Sequence, residues 1–184
     1  MVTVLALGAL MLVAPQGTPP KPSFVSSLAW MAGNWKSSAS EYLMGGRSAG
    51  ELDKTATVLM ANANNSLVIR IASSSDKGKP YEPGELVVLH TLTDGKTTSA
   101  YEIVEIADEP VKFAVARDDR SFTLSSKSIP ITSPQGAGQF SDKIVIEKKS
   151  NDQWVYTAEI TYRFGGVPMT ITQKLTFDRV SGPG

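Results

Sequence analysis

Leu28-Ala29-Trp30-Met31-Ala32-Gly33-Asn34-Trp35-Lys36 is the stretch that decides the fold. A hydrophobic helical turn runs into a strand through Gly33-x-Trp35. The turn can plug an opening, the glycine lets the backbone bend sharply, and the indole lies on the first strand, an arrangement that suits the base of a closed β-barrel. Just upstream, Phe24, Val25, Leu28 and Met31 fall at helical spacing with Ser23 as an N-cap and Gly33 as a stop, which predicts a short helix or 3₁₀ turn.

After Gly33 the period is two almost throughout. Strands are expected at Trp35–Ala39, Thr55–Met60, Ser66–Ala72, Glu85–Leu92, Thr97–Ile106, Val111–Ala116, Ser121–Ser126, Lys143–Lys149, Gln153–Phe164 and Val167–Val180. The connections carry turn chemistry: Asn62-Ala63-Asn64-Asn65, Thr93-Asp94-Gly95-Lys96, Ser150-Asn151-Asp152 and Gly165-Gly166. Met44 to Gly50 reads as a glycine-rich turn or bent strand, and Ile129 to Gly138, with its prolines and glycines, as a surface loop or lid. About ten evenly spaced strands and almost no helix predict an all-β, antiparallel up-and-down barrel with a short N-terminal helical turn.

Parity assigns the faces. Trp154, Tyr156, Ala158, Ile160, Tyr162 and Phe164 share one side of their strand, opposite Thr157, Glu159, Thr161 and Arg163, so the first set faces inward. In the last strand Val167, Met169, Ile171, Gln173, Leu175, Phe177 and Arg179 are the inward set. An inward Arg requires a partner, because removing its charge from water costs several kcal/mol unless something compensates.

Composition excludes whole classes. Lys+Arg and Asp+Glu both number 18, with no run of either sign, so no nucleic-acid partner is expected. Cysteine is absent, which removes disulfides, thiolate metal sites and cysteine nucleophiles together. With a single histidine a three-His metal site is impossible, and no cofactor is implied. Residues 1–22 read as a signal peptide and linker: Val2–Ala14 has the length of a signal h-region and is too short to span a bilayer, and Gly17–Pro22 is proline-stiffened. The protein is thus expected to be exported, periplasmic or secreted, with a single barrel domain over 23–181.

Gly33-x-Trp35 after a helical turn, with Arg179 near the end of the last strand, resembles the lipocalin or calycin arrangement. That resemblance implies that Arg179 packs across the Trp35 ring and ties the barrel's ends together. Leu28-Ala29-Trp30-Met31-Ala32-Gly33-Asn34-Trp35 further resembles the opening signature of exported bacterial proteins of the DUF6265/DUF1579 type, as do Tyr101-Glu102-Ile103-Val104-x-Ile106 and Phe177-x-Arg179. That family's Glu-x-x-Trp and Asn-Pro-x-His-Asp-Phe-Pro segments have no counterpart.

The candidate functional residues follow from the inward faces. Trp154, Tyr156, Tyr162, Phe164, Met169 and Gln173 are either packed core or the wall of a ligand cavity. His90, on the parity of Leu86, Val88 and Leu92, is expected inside, where an imidazole suits a ligand site, an axial haem position or a general base. Nitrobindin-like haem barrels carry their ligand His near the chain's end, whereas His90 is mid-chain. Glu41 and Glu105 share parity with interior residues and could line the interior as an acid–base pair, but the preferred expectation is that both are solvated surface carboxylates. No Gly-x-Ser-x-Gly or phosphate loop is present. The expected function is binding of a small, largely apolar molecule inside the barrel, with Gly33, Trp35 and Arg179 as a structural latch and no catalytic set. The alternatives are an envelope structural or interaction protein with a filled barrel, and an enzyme using interior carboxylates or His90.

Overall fold

Helix α1 (Phe24–Ser27) and a 3₁₀ turn (Ala29–Met31) lead into twelve strands: β1 (Gly33–Met44), β2 (Arg47–Ser48), β3 (Lys54–Ala61), β4 (Ser66–Ser73), β5 (Glu85–Thr91), β6 (Thr98–Ile103), β7 (Val111–Arg117), β8 (Ser121–Ser126), β9 (Ile129–Ser133), β10 (Gly136–Lys148), β11 (Gln153–Phe164) and β12 (Val167–Arg179). The structure, a computed structural model, describes residues 22–73, 85–91, 97–103, 109–134 and 136–180. All but the last residue of the expected signal peptide and linker lie outside these, as does Glu105.

Pairing runs antiparallel from β12 through β1, β3, β4, β5, β6, β7, β8, β10 and β11, and β11 pairs back onto β12. Ten strands therefore close a ring, the all-β up-and-down barrel that the alternating pattern predicts. Strands β2 and β9 stand outside it, β2 on the second half of β1 and β9 on the first half of β10. The tight β3–β4 turn places Asn62, Ala63 and Asn64 at φ of 51°, 51° and 67°, left-handed positions that asparagine tolerates better than most residues.

One end of the ring is plugged. Ser23 caps α1 by accepting a hydrogen bond from the Ser26 amide, and Val25, Leu28 and Met31 turn their side chains into the barrel at 6% exposure or less. Beneath the plug the interior is solid: Trp35, Trp154, Tyr156, Phe177, Leu89 and Ile146 are among the fully buried side chains. Trp154 stacks on Phe177 at 4.6 Å and meets Trp35 edge-on at 6.0 Å. Each such side chain contributes roughly 1.5–3 kcal/mol of burial.

The other end differs because the strands are unequal. Strands β1, β10, β11 and β12 are 12 or 13 residues long, whereas β3 to β8 run only 6 to 8. At about 3.3 Å per residue the long strands reach roughly 15–20 Å further along their own direction. Pairing of β1 with β3 stops at Lys36–Thr55, and that of β7 with β8 at Phe113–Ser126. Past those points β9, β10, β11, β12, β1 and β2 continue as a curved wall, and the end it overhangs is here termed the mouth.

Two expectations are corrected. The first strand does not stop at Ala39 but continues to Met44, with its register shifted between Ser37 and Ala39. Ile129 to Gly138 is not a loop or lid throughout: it forms β9 and the start of β10, with Pro130 opposite Gln139 on an edge strand, a place that accommodates proline.

Candidate functional site

The first and last strands meet at the plugged end. Trp35 and Arg179 are register neighbours, and the Arg179 guanidinium lies 4.2 Å over the Trp35 ring. From there Nη1 donates to the Ala32 carbonyl at 2.9 Å, and Nη2 to those of Trp30 at 2.6 Å and Asn151 at 2.9 Å. Nε donates to Asp152 Oδ1 at 3.0 Å. The Trp35 indole donates in turn to the Met31 carbonyl at 2.8 Å, tying the strand to the plug. Gly33 is required by close approach, since a Cβ there would sit 2.8 Å from Arg179 Nη1.

Away from this end the inner face loosens row by row. Along β12, Leu175 is fully buried, Gln173 and Ile171 are half-buried, Met169 is 41% exposed and Val167 71%. Along β11 the same change runs from Trp154 and Tyr156, at 0%, to half-buried Ile160, Tyr162 and Phe164. Phe140, Tyr162 and Phe164 form an aromatic group, with centroids 5.6 and 6.4 Å apart. Gly138 makes room for it, because a Cβ there would lie 2.5 Å from the Phe164 ring.

The structure thus separates the candidate ligand residues. Tyr162, Phe164, Met169 and Gln173 are brought together at the mouth, while Trp154 and Tyr156 lie in the packed core below. His90 is on the outer face: Val87 and Leu89 are its buried neighbours, and its Nδ1 is 2.7 Å from Ser66 Oγ, which accepts from Asn62 Nδ2 at 2.8 Å. The expected inward His90 is therefore corrected, since Leu86-Val87-Val88-Leu89 is apolar on both parities and carries no phase. Glu41 is solvated, as preferred for it, and only its parity with Trp35 is corrected. The bulge between Ser37 and Ala39 reverses parity, so Ser40, Tyr42 and Met44 fall in line with inward Leu175, Gln173 and Ile171, and Glu41 is exposed opposite Lys174.

Two interior carboxylates escaped the sequence reading. Glu102, 1% exposed, lies between Val87 and Val111, with Tyr101 and Ile103 turned outward. Asp142, 3% exposed, pairs with Ile160, and its amide donates to Ser126 Oγ at 2.8 Å. Asp142 was findable, for it shares the parity of Ile144 and Ile146. Glu102 gave no signal, because its flanking residues are the larger apolar ones. Gln173 Oε1 and Trp154 Nε1 are buried without a hydrogen-bond partner. Outside the interior, Asp178 has its carboxyl held below the ordinary value by hydrogen bonds from Ser38 and then Gln153. Among the described residues no group of three or more His, Cys, Asp or Glu could hold a metal, and no helix is long and apolar enough to cross a membrane.

A closed ten-stranded ring with a plugged end and an Arg-over-Trp contact joining its first and last strands defines a barrel of the lipocalin-like, or calycin-like, class. The chain is similar in structure to the S-type phycobiliprotein lyase CpeS from Guillardia theta, with a TM-score of 0.57 and 12% sequence identity over 88% of this chain and 94% of that one. At that identity the likeness concerns the fold. No family model and no curated protein matches the chain, so the likeness of its opening motif to the DUF6265/DUF1579 type has no family match behind it.

Proposed function

We propose that this protein is a lipocalin-like binding protein that takes a small, largely apolar molecule into the mouth of its barrel. One observation carries the reading: on the inner face of the long strands, apolar exposure rises from 0% at Leu175 to 41% at Met169 and 71% at Val167, with Met44 at 43% beside them. Apolar side chains facing the inside of a barrel while in contact with water form a surface that gains from being covered. The likeness of fold to a phycobiliprotein lyase supports the reading. Within the same proposal the chain is exported to the periplasm or secreted, as the apolar run near its start suggests, and the opening motif relates it to the exported DUF6265/DUF1579-type proteins.

The test is titration of the full chain with the neutral apolar dye Nile red. The expected result is saturable fluorescence enhancement that Met169→Asp weakens by about tenfold or more, a loss of about 1.4 kcal/mol, while the melting temperature stays within about 2 °C because the site is exposed. Absence of saturable binding, or binding indifferent to Met169→Asp, overturns the assignment. Fractionation of cells expressing the full chain tests export.

A further inference from the structure

At the plugged end a separate pocket of about 270 Å³ opens between the plug, the β7–β8 turn and β10. Its floor is apolar, made of the buried side chains of Leu28, Phe122 and Ile146. Phe24 and Trp30, both half-buried, line it on the plug side, and Phe122 meets the Phe24 ring edge-on at 5.6 Å. Three cations complete the lining. Arg117 lies 5.2 Å over the Phe24 ring and Lys148 Nζ 4.7 Å over the Trp30 ring, while the Arg120 carbonyl accepts from the Lys148 amide at 2.8 Å and fixes the turn beside β10. Among the described residues none of the three cations forms an ion pair. Two carboxylates share the lining, Asp118 and Asp119, yet neither reaches a cation, and Asp118 Oδ1 is engaged by the Asp119 amide at 2.7 Å. Glu147, next to Lys148, is paired with Lys149. Three positive charges against two negative leave the pocket one cation in excess, and two of the three are held by aromatic faces in place of a counter-ion.

We infer that this pocket is a second binding site, at the opposite end from the mouth, for a compact anion with an apolar body, an arylcarboxylate or arylsulfonate in chemical class. The inference does not rest on binding at the mouth. The pocket is smaller than the roughly 300–1,000 Å³ that drug-sized molecules occupy, so it suits a body of one or two rings. Covering Leu28, Phe122 and Ile146 supplies the apolar part of the affinity. The guanidinium groups of Arg117 and Arg120, planar donors that match a carboxylate or sulfonate two bonds at a time, supply the preference for an anionic head. Asp118 and Asp119 act against that head, so the preference over a neutral molecule is modest and falls as salt is added.

The test titrates the full chain by calorimetry with one ring system carrying three head groups: naphthalene-2-sulfonate, naphthalene-2-methanol and naphthalene-2-methylammonium, at low salt and neutral pH. The sulfonate is expected to bind saturably and at least about fivefold more tightly than the alcohol, with the ammonium weakest, and the gap is expected to narrow in about 0.5 M salt. The double variant Arg117→Gln with Arg120→Gln should weaken the sulfonate by about tenfold and the alcohol by less than about twofold. Both arginines are exposed, so an unchanged melting temperature is expected to show that the variant folds, and the head-group and salt comparisons on the parent chain stand without it. Met169→Asp, at the other end of the barrel, should leave sulfonate binding as it was. Absence of saturable sulfonate binding, an ammonium that binds as tightly as the sulfonate, sulfonate binding indifferent to the arginine pair, or sulfonate binding lost in Met169→Asp overturns the inference. Failure of Nile red to bind at the mouth overturns only the proposed function and leaves this site standing.

Discussion

Replacement of Arg179 by Met keeps an apolar stem over Trp35 and removes the guanidinium. The stack at 4.2 Å is worth about 0.5–2 kcal/mol. Its three hydrogen bonds to main-chain carbonyls come from a charged donor, a type worth about 1.5–3 kcal/mol each when fully withdrawn from water. The Arg179 side chain is 31% exposed, so water replaces part of what is lost, and the three bonds together count as roughly one such contribution. Asp152 is 77% exposed, and its ion pair adds less than about 1 kcal/mol. The sum is about 2–6 kcal/mol out of the 5–15 kcal/mol typical of a domain. For a domain of this size the melting temperature should fall by about 4–24 °C. Urea unfolding followed by tryptophan fluorescence reports directly, because Trp35 and Trp154 sit at this end. Asp152→Ala serves as the control, with an expected loss below about 1 kcal/mol. If Arg179→Met stays within about 1 kcal/mol of the parent, or if Asp152→Ala costs as much as Arg179→Met, the guanidinium does not hold the ends of the barrel as described.

Gly138→Ala brings a methyl carbon to 2.5 Å from the Phe164 ring and 2.9 Å from the Arg163 carbonyl, so a loss of about 1–3 kcal/mol in urea unfolding is expected, together with weaker dye binding at the mouth; unchanged stability would show that the wall yields. Asp178 supplies a pH dependence. Its carboxyl is held below the ordinary 3.8 by the Ser38 and Gln153 hydrogen bonds, so the folded value lies under the unfolded one. Its stabilisation is therefore fully present above the unfolded value and is lost as pH falls through the folded one. Comparison of unfolding curves for parent and Asp178→Asn should show a difference that shrinks on acidification below pH 4, and a difference that grows there contradicts the assignment.

What the sequence disclosed depended on whether a strand kept one phase. Strands β11 and β12 alternate without interruption, and every inward residue read from them faces inward in the structure. The ring closure was legible for the same reason, since ten regular strands with hairpin connections leave few other arrangements. Phase was lost in two ways. In β5 apolar residues occupy both faces, so the pattern could not say that Val87 and Leu89, and not His90, belong to the interior. In β1 the bulge inserts one residue, and everything beyond it changes face, Glu41 outward and Tyr42 inward. A bulge is set by which backbone groups the neighbouring segment satisfies, here the Leu52 and Lys54 amides bonding to Ser40 and Ser37 Oγ, and no local composition announces that.

The same bulge lies just past the last β1–β3 pair, where the mouth begins. Ten strands enclose more space than eight, and at the plugged end that space is taken up by Trp35, Trp154, Tyr156 and Phe177 from the long strands against Leu67, Ile69 and Leu89 from the short ones. Filling needs side chains from both walls. Past Lys36 the long strand β1 turns away from β3, and two serine hydroxyls hold the segment carrying Leu52 to it, with a groove of about 550 Å³ between them. Past Ser126 the chain leaves β7 to follow β10 as β9, and a second groove of about 760 Å³ opens there. Between these two seams the rows Asp142–Ile160–Ile171–Met44 and Phe140–Tyr162–Met169 belong to the long wall alone, because β3 to β8 have ended. Unequal strand length, and not small side chains, is what leaves Met169 and Met44 facing water from the inside. It follows that enlarging single residues on the long wall cannot close the mouth, whereas a molecule of suitable length lying along those rows supplies the opposing surface that the short strands do not.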